Sequence, residues 1–305
     1  MPIEWAWPSG ISPIAAPSSE IHLNGDGRCH VMLLHGLTGG PAEFAYIAHY
    51  LHKRAHLNVW CPTLLNHGGP IGILAATGRD ALYASVRSQF EEATYAAAVT
   101  TSPLVIGGLS IGADLALMLA AEFPKTVAGV ICLAPTLFYD GWNVPWTYRL
   151  IPLVDWTPLK FFAYHREEPP YGLKDEALRA RIGEEYAKQT LKNDADWHNG
   201  YAHYPVRLMC EVHHLIKECI GALPRVKAPL LVIQAEHDDA TSPRNAEFIL
   251  DHTDSPRKEL VLLRNSYHVI TADLERAKVA AAMQAFCNGV MAGSSPERVT
   301  STWSR

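Results

Sequence analysis

The sequence has no surplus of basic charge. Its 26 Lys and Arg stand against 31 Asp and Glu, a net charge of −5, whereas a protein that neutralises many phosphates needs Lys and Arg gathered on one face. Nucleic acid is not an expected partner. No run reaches the ~18 apolar residues of a membrane span. The Pro- and Ser-rich start, Met1 to Glu20, also lacks a basic stretch leading into an apolar core. A cytoplasmic protein without a membrane span or secretion signal is therefore expected. The six cysteines, Cys29, Cys61, Cys132, Cys210, Cys219 and Cys287, form no CxxC pair. A zinc ribbon or a disulfide framework needs tighter spacing, so they read as buried thiols in a reducing compartment. There is no G-x-G-x-x-G and no Lys after a glycine-rich turn, which argues against dinucleotide and nucleoside-triphosphate loops. No cofactor and no metal are expected. His49, His52 and His56 share a helical face, but no Asp or Glu completes a ligand set with them. No internal repeat or low-complexity segment is visible, and nothing signals an oligomeric state.

What is present is a soluble globular composition: 305 residues, 48% hydrophobic and 19% charged. That length suits one large domain with an insertion, or two units. Short aliphatic runs at Val31–Leu34, Asn58–Cys61, Leu104–Ile106, Val127–Leu133, Leu230–Ile233 and Leu260–Leu263 read as strands buried on both faces. Helical stretches alternate with them, at about Pro41 to Ala55, Asp80 to Ala98 and Ser110 to Glu122. This rhythm predicts an α/β fold, a mostly parallel central sheet with helices on both faces. It breaks between Thr136 and Val226, which lacks such strands yet holds half of the aromatic residues. The expected organisation is a core of residues 1–135 and 227–305 with an inserted lid at 136–226. Trp142, Trp146, Trp156, Phe161 and Phe162 are expected to line an apolar substrate pocket on its inner face.

Gly108-Leu109-Ser110-Ile111-Gly112 fits G-x-S-x-G and lies where a strand passes into a helix. That is the context of a nucleophile elbow. The tight turn strains the backbone at Ser110, and a Cβ on either flanking glycine would strike the neighbouring strand or helix. A serine hydroxyl is a poor nucleophile at neutral pH, so it needs a histidine base and a carboxylate that orients that base. In this architecture both follow later in the chain, on loops beyond the carboxyl ends of strands. Of fifteen histidines, His268 alone follows the last expected strand, which makes it the candidate base. For the acid, Glu236, Asp238 and Asp239 are adjacent, and spacing does not separate them. The turn His35-Gly-Leu-Thr-Gly-Gly40 can aim a backbone N–H at the top of the sheet, so Leu37 and Ile111 are the expected oxyanion donors.

With these residues in place, the chain resembles the α/β-hydrolase superfamily. Within it, the likeness is to bacterial carboxylesterases and monoacylglycerol lipases related to serine aminopeptidases. The resemblance runs from Val31 to Ala134 and from Pro229 to about Phe286. It passes through Leu34-His-Gly-Leu-Thr-Gly39, Asn66-His-Gly-Gly69, Ala76-Thr-Gly-Arg-Asp80, the elbow, Gln234-Ala-Glu-His-Asp238 and Ser266-Tyr-His-Val-Ile-Thr271. It implies that Asp238 is the triad acid and His268 the base. The implied activity is hydrolysis of a small-molecule carboxylic ester through an acyl-enzyme on Ser110. The same triad could serve an amide, a polyester oligomer or an acyl transfer, and the fold could also survive in a binding protein without chemistry. Dehalogenation would need a carboxylate at position 110.

Overall fold

The computed structural model describes residues 20–189 and 200–293. Trp197, the first nineteen residues and the tail from Ser294 lie outside them. Nine strands are described: β1 Ile21–Leu23, β2 His30–Leu34, β3 Asn58–Cys61, β4 Leu104–Leu109, β5 Val127–Leu133, β6 Tyr164–Arg166, β7 His203–Pro205, β8 Leu230–Ala235 and β9 Lys258–Leu263. Seven form one sheet in the order β1-β3-β2-β4-β5-β8-β9. Only β1 runs antiparallel, against β3. The aliphatic runs form central strands because both faces are covered: every residue of β4 and of β8 is buried.

The helices are α1 Ala45–Ala55, α2 Ile71–Ala75, α3 Arg79–Val99, α4 Ile111–Glu122, α5 Ile151–Val154, α6 Glu176–Lys188, α7 Val206–Ala222, α8 Arg244–His252 and α9 Arg276–Met291. On one face of the sheet, α1 and α9 cover Val31, Leu33, Val105 and Ile131. On the other, α3, α4, α7 and α8 cover Met32, Leu34, Ile106 and Val130. Helix α4 is buried around its whole circumference from Ile111 to Ala121 and apolar except at Asp114, the pattern of a helix enclosed on every side. All six cysteines are buried free thiols.

The stretch expected to be one insertion divides in two. Its last part, α7, packs on α4 and shares the main core through Leu208, Val212, Leu215 and Cys219. These residues recur every three or four positions and so present one apolar face to the sheet layer. Among the described residues, the segment that stands over the sheet ends is therefore 136–189 and 200–205. It holds α5, α6 and two 3-10 turns, with β6 and β7 paired antiparallel.

Candidate active site

Four loops meet beyond the carboxyl ends of β4, β5, β8 and β9, the crevice where sites form in open parallel sheets. Ser110, at the end of β4, has φ 56° and ψ −124°, a positive φ that a non-glycine residue adopts only when its surroundings enforce it. The enforcement is close packing. A Cβ on Gly108 would lie 2.2 Å from the Gly112 carbonyl carbon, and one on Gly112 would lie 2.1 Å from the Leu34 oxygen. The Ser110 N–H donates to the Leu133 carbonyl at 2.9 Å. Its hydroxyl shares a 2.8 Å hydrogen bond with Thr136.

Asp238 follows β8 and is buried. Its carboxylate accepts from the Ala240 and Thr241 N–H groups, both at 2.8 Å, from the Gln234 amide at 2.9 Å, and from the Thr241 hydroxyl at 3.2 Å. His268 Nδ1 lies 3.0 Å from both of its oxygens. An ionised carboxylate can only accept, so in the neutral ring Nδ1 carries the proton and Nε2 keeps its lone pair. Burial alone would lower the His268 pKa, but the carboxylates of Asp238, Asp239 and Glu43 outweigh it and push the value up to about 9.

Asp239 has a different task. One of its oxygens accepts the His268 backbone N–H at 3.1 Å and the other accepts the Gly172 N–H at 3.1 Å. Val269 N–H in turn donates to the Gly172 carbonyl at 2.8 Å. The backbone that carries His268 is thus tied to the segment above the sheet. Burial raises the Asp239 pKa, against the opposing pull of His268.

The N–H groups of Leu37 and Ile111 have no hydrogen-bond acceptor among the described residues. Leu37 is held from several sides. The Leu64 N–H donates to His35 Nε2 at 3.0 Å, which puts the ring proton on Nδ1, 2.9 Å from the Gly36 carbonyl. The Gly39 N–H reaches that carbonyl at 3.3 Å, and His67 Nε2 faces the Leu37 carbonyl. The histidines of the first helix bond backbone instead: His49 to the Ala45 carbonyl at 2.8 Å and His52 to the Leu57 carbonyl at 3.4 Å.

Ser110, His268, Leu37 and Asp239 line one cavity of about 820 Å³. Its apolar wall comes from Tyr148, Ile151, Val154, Leu159, Val206 and Met209. The five aromatics expected there are elsewhere. Trp142, Trp146, Trp156, Phe161 and Phe162 are all exposed, Trp156 to 91%, and none lines the cavity. The segment from Trp146 to Phe161 is built of 3-10 turns and the four-residue α5. Its smaller aliphatic residues and Tyr148 face inward while the largest rings face out. Trp142 donates to the His237 carbonyl at 3.0 Å, and Phe161 lies beside Lys160 and Arg207.

Several buried or half-buried polar residues at the site escaped the sequence reading. Thr136 carries no sequence signal. Asp114, whose carboxyl accepts the Thr136 N–H at 3.3 Å, was legible as the one acid inside an apolar helix; burial pushes its pKa up to about 8. Glu167 lines the cavity, bonds Tyr204, and is pushed by burial to about 8. Glu43 does so beneath the Gly36–Gly39 turn, its pKa pushed by burial to about 7.

The family described as serine aminopeptidase, S33, matches residues 26–275. The chain belongs to this family. Among curated proteins it is similar to a thermostable monoacylglycerol lipase of Bacillus sp. (strain H-257), at 26% identity over 83% of this chain and 88% of that one. It is 24% identical to a carboxylesterase of Bacillus subtilis (strain 168), over 81% of this chain and 87% of the relative. Among solved structures, one from a study of the metagenome-derived lipolytic enzymes LipS and LipT superimposes with a TM-score of 0.72 at 24% identity, covering 89% of this chain and 98% of the other. A soluble variant of monoglyceride lipase from Saccharomyces cerevisiae gives 0.70 at 16% identity, covering 89% and 91%. The fold is the α/β-hydrolase fold.

Proposed function

We propose that the protein hydrolyses carboxylic esters through an acyl-enzyme on Ser110. The observation that carries the reading is the 3.0 Å pair between His268 Nδ1 and Asp238, with His268 lining the same cavity as a serine with positive φ. Nε2 of His268 accepts the Ser110 proton, for which the hydroxyl must exchange Thr136 for the imidazole. The alkoxide attacks the ester carbonyl, and the Leu37 and Ile111 N–H groups hold the oxygen that becomes negative; one such donor is typically worth ~10²–10³ in rate. Protonated His268, stabilised by Asp238, then gives its proton to the leaving alcohol. Water repeats the sequence and releases the acid. The activities named for both curated relatives are ester hydrolyses, which supports an ester over an amide. The apolar wall supports an acyl group larger than acetyl.

The test is covalent labelling of Ser110 by a fluorophosphonate, together with hydrolysis of p-nitrophenyl butyrate. Ser110→Ala is expected to lose both while keeping its circular dichroism. Full esterase activity in that variant would overturn the assignment.

A further inference from the structure

The oxyanion turn is held from beneath by a carboxylate that the reaction scheme above does not use. The Gly36 N–H donates to Glu43 Oε2 at 2.9 Å. The other carboxyl oxygen occupies the space beside Gly39, where a Cβ would lie 1.9 Å from Oε1. Glu43 stands in the short 3-10 turn Pro41–Phe44, just before α1, so its backbone is anchored in the core. The residue is half-buried where it lines the cavity, and none of the described residues gives it a salt bridge.

The peptide joining Gly36 to Leu37 is planar and trans, so its C=O and N–H point in opposite directions. The His35 ring and the Gly39 N–H fix that carbonyl. The preceding peptide, which ends in the Gly36 N–H, is free to turn about the two soft torsions of a glycine unless something holds it. Glu43 is the group that holds it. With both peptides fixed, the Leu37 N–H has one direction left.

We propose that Glu43 is a positioning residue of the oxyanion hole, its carboxylate locking Gly36 and Gly39 so that the Leu37 N–H is aimed before substrate arrives. The proposal rests on the hydrolase reading of Ser110. Such preorganisation acts on the transition state more than on substrate binding, because the negative oxygen exists only there. It therefore reads out in kcat rather than KM.

The charge state of Glu43 matters as well. His268 from the loop after β9, Glu167 beside β6 and Tyr186 on α6 interact with it electrostatically. Tyr46, Asp239 and Arg276 line the same cavity. Burial pushes the Glu43 carboxyl up to about 7. As pH falls through that value the group gains a proton and becomes a weaker acceptor for the Gly36 N–H. A loss of kcat on the acid side is the expected consequence.

The experiment follows kcat and KM for p-nitrophenyl butyrate between pH 5.5 and 9.5 in the wild type, Glu43→Gln, Glu43→Ala and Gly39→Ala, with Ser110→Ala in parallel. Glu43→Ala removes the carboxylate and Gly39→Ala pushes it aside. Both are expected to lower kcat by about tenfold to a hundredfold, part of the ~10²–10³ carried by a whole donor, with KM within about threefold. Glu43→Gln keeps an acceptor oxygen, so it should restore kcat to within about fivefold yet lose the step near pH 7. The proposal is overturned if Glu43→Ala keeps kcat within twofold, if the loss falls on KM, or if the step near pH 7 survives in Glu43→Gln. Should Glu43→Ala not fold, the pH profile of Glu43→Gln decides alone. Activity remaining in Ser110→Ala would instead overturn the hydrolase reading itself.

Discussion

Asp238 and Asp239 are neighbours in sequence and both are buried, yet their carboxylates meet different parts of His268. Asp238 meets the ring and Asp239 meets the backbone N–H. Asp238→Asn leaves an amide where the Nδ1 proton needs an acceptor and so permits the wrong tautomer. The expected loss is about 10⁴-fold in kcat, the scale typical of that change in a triad. Asp239→Asn can still accept one of its two backbone hydrogen bonds. It should cost less than about tenfold in kcat but lower stability by about 1–3 kcal/mol, the cost of one buried donor left unsatisfied. Comparable kcat losses in the two variants, both folded, would reject this division of labour. The imidazole must be neutral to act as a base, so kcat/KM of the wild type should climb toward its plateau as pH rises through about 9, the value to which the surrounding carboxylates raise His268. In Asp238→Asn the residual activity should reach its plateau at lower pH, because the largest opposing charge is gone.

At the scale of elements, the passage from β4 to α4 matters most, since one turn both presents Ser110 and frees the Ile111 N–H. Its geometry depends on two glycines at which other backbone comes within about 2 Å of any Cβ. Gly112→Ala would push α4 away from the end of β2. Overpacking of this kind typically costs ~1–3 kcal/mol, and here it also displaces the Ile111 N–H proposed as an oxyanion donor. We expect a lower urea midpoint together with slower fluorophosphonate labelling. An unchanged labelling rate at reduced stability would separate the packing of the turn from its chemistry. The elbow was legible because its motif stood at a recognisable strand-to-helix boundary. Helix α7 was less so: its residues alternate on a helical period, but nothing in them says whether the apolar face meets the main sheet or a separate lid core.

At the scale of the molecule, the segment over the sheet carries two sets of large apolar residues, one lining the cavity and one facing outward. Met209→Ala, on the first turn of α7 below that segment, widens the apolar wall and is expected to shift preference toward longer acyl chains. Each added methylene contributes up to ~0.8 kcal/mol where room exists. Trp156→Ala, which changes a side chain 91% exposed, should leave both the chain-length profile and the melting temperature unchanged. A series of p-nitrophenyl esters from acetate to palmitate, with thermal unfolding of each variant, reads both. A shifted profile in Trp156→Ala alone would mean that this outer ring folds over the substrate after all.

The sequence by itself determined the parallel sheet, the elbow and the candidate base, because each is written in local order: aliphatic runs of strand length, glycines flanking a serine, a histidine after the last strand. It left the acid open among Glu236, Asp238 and Asp239 until the resemblance of neighbouring motifs was considered. Only the tertiary structure decided which carboxylate meets the ring and which the backbone, since a shift of one residue along a loop turns a side chain to another partner. It alone decided that Glu43 and Thr136 reach the site, at sequence separations no periodic pattern records. It also turned Trp142, Trp146, Trp156, Phe161 and Phe162 outward, because irregular turns and short 3-10 segments lack the 3.6-residue period from which an inner face could be read.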